Sequence, residues 1–225
     1  MKILALETST ELASIALCLD GQIIQIRLSS PPAHSATLLP EIRQLLAGQG
    51  LALAALDGVA CGIGPGAFTG VRLACSVAQG LALGAGLVVH PVCSLLALAE
   101  AANAPEVYCA MDARMGEVYV AAYRREATGW TEVIAPCCVA PGAAPQAPEG
   151  NWLGAGNAFA AYPALGDRLL GQISLPAEVS VPDAGAIARL AGQVRPVDPA
   201  LVAPLYVRDR VAQTVAERLA NGGRA

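Results

Sequence analysis

Lysine is almost missing from this chain: Lys2 is the only one in 225 residues. A phosphate-binding loop of the G-x-x-x-x-G-K-[ST] type needs a lysine directly after its last glycine, so that loop is excluded. A Schiff base or an amine clamp on phosphate is excluded with it. Histidine is nearly as scarce. His34 and His90 belong to neither an H-x-x-x-H nor an H-E-x-x-H pair, which argues against a histidine-rich metal centre and against a zinc peptidase. None of the seven cysteines forms a C-x-x-C pair. Cys18, Cys61, Cys75, Cys93 and Cys109 sit in apolar runs, where a free thiol acts as a small hydrophobe; only Cys137–Cys138 falls in a loop-like stretch.

Charge is also sparse, at 14% of residues with a net −4. Nothing broadly attracts the polyanionic backbone of a nucleic acid, so any RNA is expected to be held mainly by a partner. No charged residue occurs between Arg72 and Glu100. Gly80, Gly84, Gly86, His90 and Pro91 interrupt that run, which reads as helix, strand and helix rather than as a membrane span. The opening "MKILALETST" lacks a signal-type core with a cleavage site and reads as a first strand; the cytoplasm is the expected location.

With 55% apolar residues, the chain can bury a core as one large domain or two lobes. Residues 2–7, 13–19 and 22–29 read as strands, the last two joined by the hairpin signal Asp20-Gly21. In "HSATLLPEIRQLLAGQG", Leu38, Leu39, Ile42, Leu45 and Leu46 make one helical stripe, with Pro40 placed near the helix start. A strand at 59–63, a helix at 69–84, a strand at 87–90 and a helix at 94–102 follow. This β-β-β-α-β-α-β-α order predicts a mixed sheet covered by helices. Beyond Pro105, strands at 107–111 and 118–123 flank a loop with Asp112, Arg114 and Gly116. Residues 136–150 read as a loop, 184–191 and 211–219 as helices. The second half looks like a shortened echo of the first, with lobes over 1–104 and 105–207 and a terminal helix over 208–225, packing back on the first lobe.

Strand, glycine loop and helix in succession often cradle phosphate on bare backbone N–H groups. In "GIGPGAFTG", however, Pro65 has no N–H to donate, and no lysine stands behind the loop. Gly64, Pro65, Gly66 and Thr69 therefore read as architecture: the glycines let the chain turn, and Thr69 caps the helix. Along that helix Gly70, Ala74, Ala78 and Ala82 recur four apart, a face that lets a second helix approach. Together with the leucine stripe it is expected to form a self-complementary apolar patch, the surface of a two-fold homodimer.

"ILALETST", "HSATLLP", "GIGPGAFTGVRLA", "MDARMGEVY" and "PLYVRD" together resemble the bacterial TsaB (YeaZ) family over nearly the whole chain. The resemblance implies a two-lobed, actin-like and Hsp70-like α/β fold, with mixed sheets flanked by helices and a shortened second lobe. It implies a non-catalytic subunit in formation of threonylcarbamoyladenosine beside the tRNA anticodon. The implied partners are the catalytic relative TsaD and the small ATPase TsaE, with tRNA engaged only through the complex. Pairing through the two helices above makes them the expected partner interface. Enzymes of that superfamily carry an acidic residue at the end of strand one; Glu7, with Thr8 and Ser9, occupies that place, and Asp112 is the candidate carboxylate of the second lobe. These four would carry any residual nucleotide contact. The plain alternative is that they satisfy turn amides. No cofactor is expected to be required, with ATP or ADP held only at a site shared within the complex. The competing reading is an independent ATPase or phosphotransferase of the same fold.

Overall fold

A computed structural model describes residues 1–28, 34–174 and 180–208, and side chains from Ala36 onward in the first helix. Three strands come first: β1 (Lys2–Glu7), β2 (Ser14–Leu19) and β3 (Gln22–Arg27). They pair as an antiparallel meander, β2 to β3 through Asp20 and Gly21, both at positive φ. After α1 (His34–Gly48), β4 (Gly58–Gly62) adds parallel to β1; after α2 (Phe68–Ala85), β5 (Val88–Val92) adds parallel to β4. The sheet order is β3-β2-β1-β4-β5.

The second half repeats this plan. Beyond α3 (Ser94–Ala102), β6 (Glu106–Arg114), β7 (Glu117–Glu126) and β8 (Gly129–Val139) form a second meander. Then β9 (Trp152–Ala155) and β10 (Ile173–Ser174) add in parallel, giving β8-β7-β6-β9-β10, strand for strand the order of the first sheet. Its helices α4 (Ala158–Ala161) and α5 (Pro163–Arg168) are short, so the echo is shortened in its covering layer and not in its sheet.

Several sequence expectations need correcting. Pro40 lies in the interior of α1 rather than near its start, at an exposed position. Residues 136–139 and the pair Cys137–Cys138 belong to β8, an edge strand that tolerates Pro136. The two thiols point to opposite faces, Cys137 toward Tyr108 and Val120, Cys138 toward Tyr119 and Ala121. The lobe expected over 105–207 does not run unbroken. From α6 (Ala184–Leu190) the chain is back on the first sheet, where Ala184, Ile187 and Leu190 pack with Ile3, Ala5 and Ala16. The Val89–Val197 bridge continues that return. The helix expected over 211–219 lies outside the described residues.

The uncharged run splits as expected into α2, β5 and α3. By length and composition alone α2 is apolar enough to cross a membrane, yet its Val71, Ala74, Cys75, Ala78 and Ala82 are buried. On the opposite face of that sheet lie α6 and α3, and α3 also packs Leu95, Leu98 and Ala99 on the second sheet. A helix enclosed by both lobes has no room for charge except where it is paired. Glu100 meets that condition: it accepts from Arg125, Arg189 and the Trp130 indole.

Candidate functional site

The ends of β1, β4 and β6 converge on a cleft of about 270 Å³ between the lobes. Ser9, Thr10 and Glu11 line it from the loop after β1, and Pro65–Phe68 with Val71 from the glycine loop and the start of α2. Met111–Arg114, Tyr119 and Asn157 face them from the second lobe, and Leu205–Arg208 complete the wall. Motifs far apart in the sequence thus meet at one place.

The four candidate contacts divide. Glu7 is fully buried; its carboxylate accepts the Ser9 N–H at 2.6 Å and the Ser94 hydroxyl at 2.9 Å. Burial raises its pKa, against those hydrogen bonds, which lower it. Gly62 lies directly over it, since a Cβ there would overlap Oε2. Thr8 is also buried, its hydroxyl donating to the Gly70 carbonyl at 2.6 Å. Ser9 and Asp112 do line the cleft. Asp112 is engaged within its own lobe, accepting from the Arg114 N–H at 2.7 Å, the Arg114 guanidinium at 3.1 Å and the Tyr162 hydroxyl at 2.7 Å. Its own N–H donates to Asn157 at 2.8 Å. Arg114 also pairs with Glu11 across the cleft.

The glycine loop seats α2. Gly64 donates its N–H to the Ser94 hydroxyl and accepts the Ser94 N–H, tying Pro65 and the loop to α3. A side chain at Gly66 would collide with Ser9, and one at Gly70 with the Thr8 carbonyl. Those glycines allow the helix to lie against the loop after β1. Thr69 is not the cap: α2 starts at Phe68 after Ala67, which makes no side-chain cap, and Thr69 is exposed within the first turn. The Ala67 N–H is instead satisfied by the Ser9 carbonyl at 2.7 Å.

The expected interface residues also divide. Ala74, Ala78 and Ala82 are fully buried against Leu4, Leu6, Val59 and Cys61 of their own sheet, and Gly70 meets Thr8. The small-residue face is therefore internal, because a helix this close to a sheet needs short side chains between them. Leu38, Ile42, Leu45 and Leu46 are likewise core, and only Leu39, 47% exposed, points out. What remains outside is a groove of about 490 Å³ between α1 and α2, lined by Leu39, Ile42, Leu46, Leu51, Leu53 and Leu81. Leu83, 58% exposed, and Gly80 and Gly84, with open space above them, continue the uncharged surface of α2.

Sequence reasoning misses a residue that braces the cleft wall. Arg72 lies over the Phe68 ring at 3.6 Å and donates to the Tyr206 hydroxyl at 2.8 Å. A signal for it exists: one of only two phenylalanines directly follows the glycine loop, with an arginine one turn on. His90, which lacks a histidine partner in the sequence, is buried against Gly58 with its Nδ1 unpartnered. Among the described residues no three His, Cys, Asp or Glu side chains come together as a metal site.

A profile of the family described as "TsaD: tRNA N6-adenosine threonylcarbamoyltransferase" matches residues 29–167. The chain is 35% identical over 224 residues to the tRNA threonylcarbamoyladenosine biosynthesis protein TsaB of Escherichia coli, covering 94% of this chain and 96% of that protein. It is 35% identical to the TsaB of Haemophilus influenzae, covering 94% and 95%. A solved structure from Pseudomonas aeruginosa, described as an uncharacterized protein with similarity to peptidase YeaZ, superimposes with a TM-score of 0.83 at 34% identity, over 92% of this chain and 99% of that one.

Proposed function

The chain belongs to the TsaB (YeaZ) family of tRNA threonylcarbamoyladenosine biosynthesis proteins, with the two-lobed actin-like α/β fold, and from that premise we propose that it is a non-catalytic assembly subunit. It supports a TsaD-type catalytic relative and a TsaE-type ATPase in the cytoplasm, meeting tRNA through the complex. The observation that carries the non-catalytic reading is the state of Glu7. The carboxylate at the end of β1 is sealed under Gly62 and spent on Ser9 and Ser94, so it offers no charge to a metal or a phosphate in the cleft. Asp112 is spent on Arg114 and Tyr162. No cofactor is needed for an assembly role, and ATP or ADP belongs to a site shared with the partner.

The partner surface in this reading is the α1–α2 groove. Its leucines need covering, Arg43 is the one charge among its described lining residues, and without a partner it serves a two-fold homodimer. The test is Leu39→Arg, at an exposed position where a long charged side chain does not disturb the core. The variant is expected to remain folded, lose co-purification with TsaD and abolish threonylcarbamoyladenosine formation in a reconstituted system. Undiminished binding and modification would place the interface elsewhere. The competing reading, an independent ATPase, is tested on the purified wild-type chain, for which no ATP turnover is expected; turnover abolished by Asp112→Ala would overturn the assembly role.

A further inference from the structure

Leu205–Arg208 lie along the cleft without regular secondary structure and divide between the two lobes in what they hold. Toward the first lobe, the Leu205 N–H donates to the Ile63 carbonyl at 2.7 Å. The Tyr206 hydroxyl accepts from Arg72, and its ring lies 6.3 Å from that of Phe68. Toward the second lobe, Val207 packs with the core that contains Met111, Ala113 and Tyr119. Arg208 then donates to the carbonyls of Ala113 at 3.1 Å and Arg114 at 3.2 Å, and pairs with Glu117 at 2.5 Å. Two consecutive residues grip one lobe and the next two grip the other.

We propose that this segment is an interlobe strap that holds the cleft at its present width. Clefts that enclose small molecules usually offer about 300–1,000 Å³, and this one offers about 270 Å³ with the strap as part of its wall. A larger ligand enters only when the strap lifts. Lifting breaks a few hydrogen bonds, one ion pair and the packing of Tyr206 and Val207, with no sheet or helix to unravel, so the strap belongs to the class of elements that open below global unfolding. Because it is anchored on both sides, loosening either anchor loosens the other lobe's rim as well.

The test is hydrogen–deuterium exchange on the full-length protein, read at the amides of Gly66–Val71 and of Ala113–Glu117. Tyr206→Ala removes only first-lobe contacts, and Arg208→Ala only second-lobe contacts. Each variant is expected to speed exchange about tenfold at the rim of the opposite lobe, and the double variant to add little to either single one. Changes confined to the lobe whose contact was removed would overturn the proposal, as would no change at all. If Arg208→Ala does not fold, Tyr206→Phe and Arg208→Lys carry the same comparison. Leu201→Ala, at an exposed position outside the cleft, should leave both rims unaltered.

Discussion

At Glu7 two effects oppose each other: complete burial disfavours the carboxylate, while the Ser9 N–H and the Ser94 hydroxyl favour it, and burial dominates. The folded state therefore keeps its proton at pH values where the unfolded chain, near 4.5, has released it. Stability falls as pH rises from about 4.5 through the raised folded value, and is then level. Glu7→Gln keeps an oxygen to accept from Ser9 and removes the titration. Its melting temperature is expected to gain on the wild type as pH increases from 4 to 8; a gap that stays constant over that range would refute this account. The sequence pattern puts Glu7 at a strand end beside a turn, as the structure does, but no local pattern shows Ser94, 87 residues away, closing over it. Gly70 illustrates the same limit. Spacing makes it part of a small-residue face, whereas its role is to let the Thr8 carbonyl approach, and Gly70→Ala should cost about 1–3 kcal/mol in chemical denaturation.

Helix α2 has two faces of opposite meaning, although both are apolar and small. Periodicity reveals that such faces exist but not which of two neighbours each one meets. The buried line Ala74, Ala78, Ala82 belongs to the sheet, and Ala78→Arg would force an unpaired guanidinium among Leu4, Leu6 and Val59. Destabilisation of about 4 kcal/mol or more is expected, with loss of cooperative melting rather than of partner binding alone. Leu39→Arg, on the groove, should melt like the wild type. A folded Ala78→Arg protein would mean that α2 turns a different face to the sheet. The regular elements of the first half are legible because alternation and turn residues agree there, as at Asp20-Gly21. The strand β8 is not, for two reasons: its pairing with β7 shifts register between Val120 and Tyr123, which breaks the period of two, and Pro136 reads as loop punctuation. The short edge strand β10 has too few residues for any period.

Between the lobes, Glu100 collects Arg125 from β7, Trp130 from β8 and Arg189 from α6, with Arg125 also stacked 4.3 Å from the Trp130 ring. Its side chain is 7% exposed while both guanidiniums reach solvent. Glu100→Ala should therefore cost about 2–3 kcal/mol, less than a fully enclosed pair. For a chain of this length that is roughly 5–10 °C in melting temperature, and calorimetry with unchanged melting would show that the lobes are held elsewhere. The duplicated plan of the two halves is visible in the sequence only as an echo, because the repeat lies in strand order and direction and not in residues. The return of α6 to the first sheet is not visible there, and it bears on how the protein is made. Ile3, Ala5 and Ala16 leave the ribosome first, yet the helix that covers them begins at Ala184, whose N–H closes on Ser14 across 170 residues. At an elongation rate of about 5–20 residues per second, that face waits roughly ten seconds or more for its cover. The first lobe is thus born early and finished late, with one apolar face open until its last helix arrives.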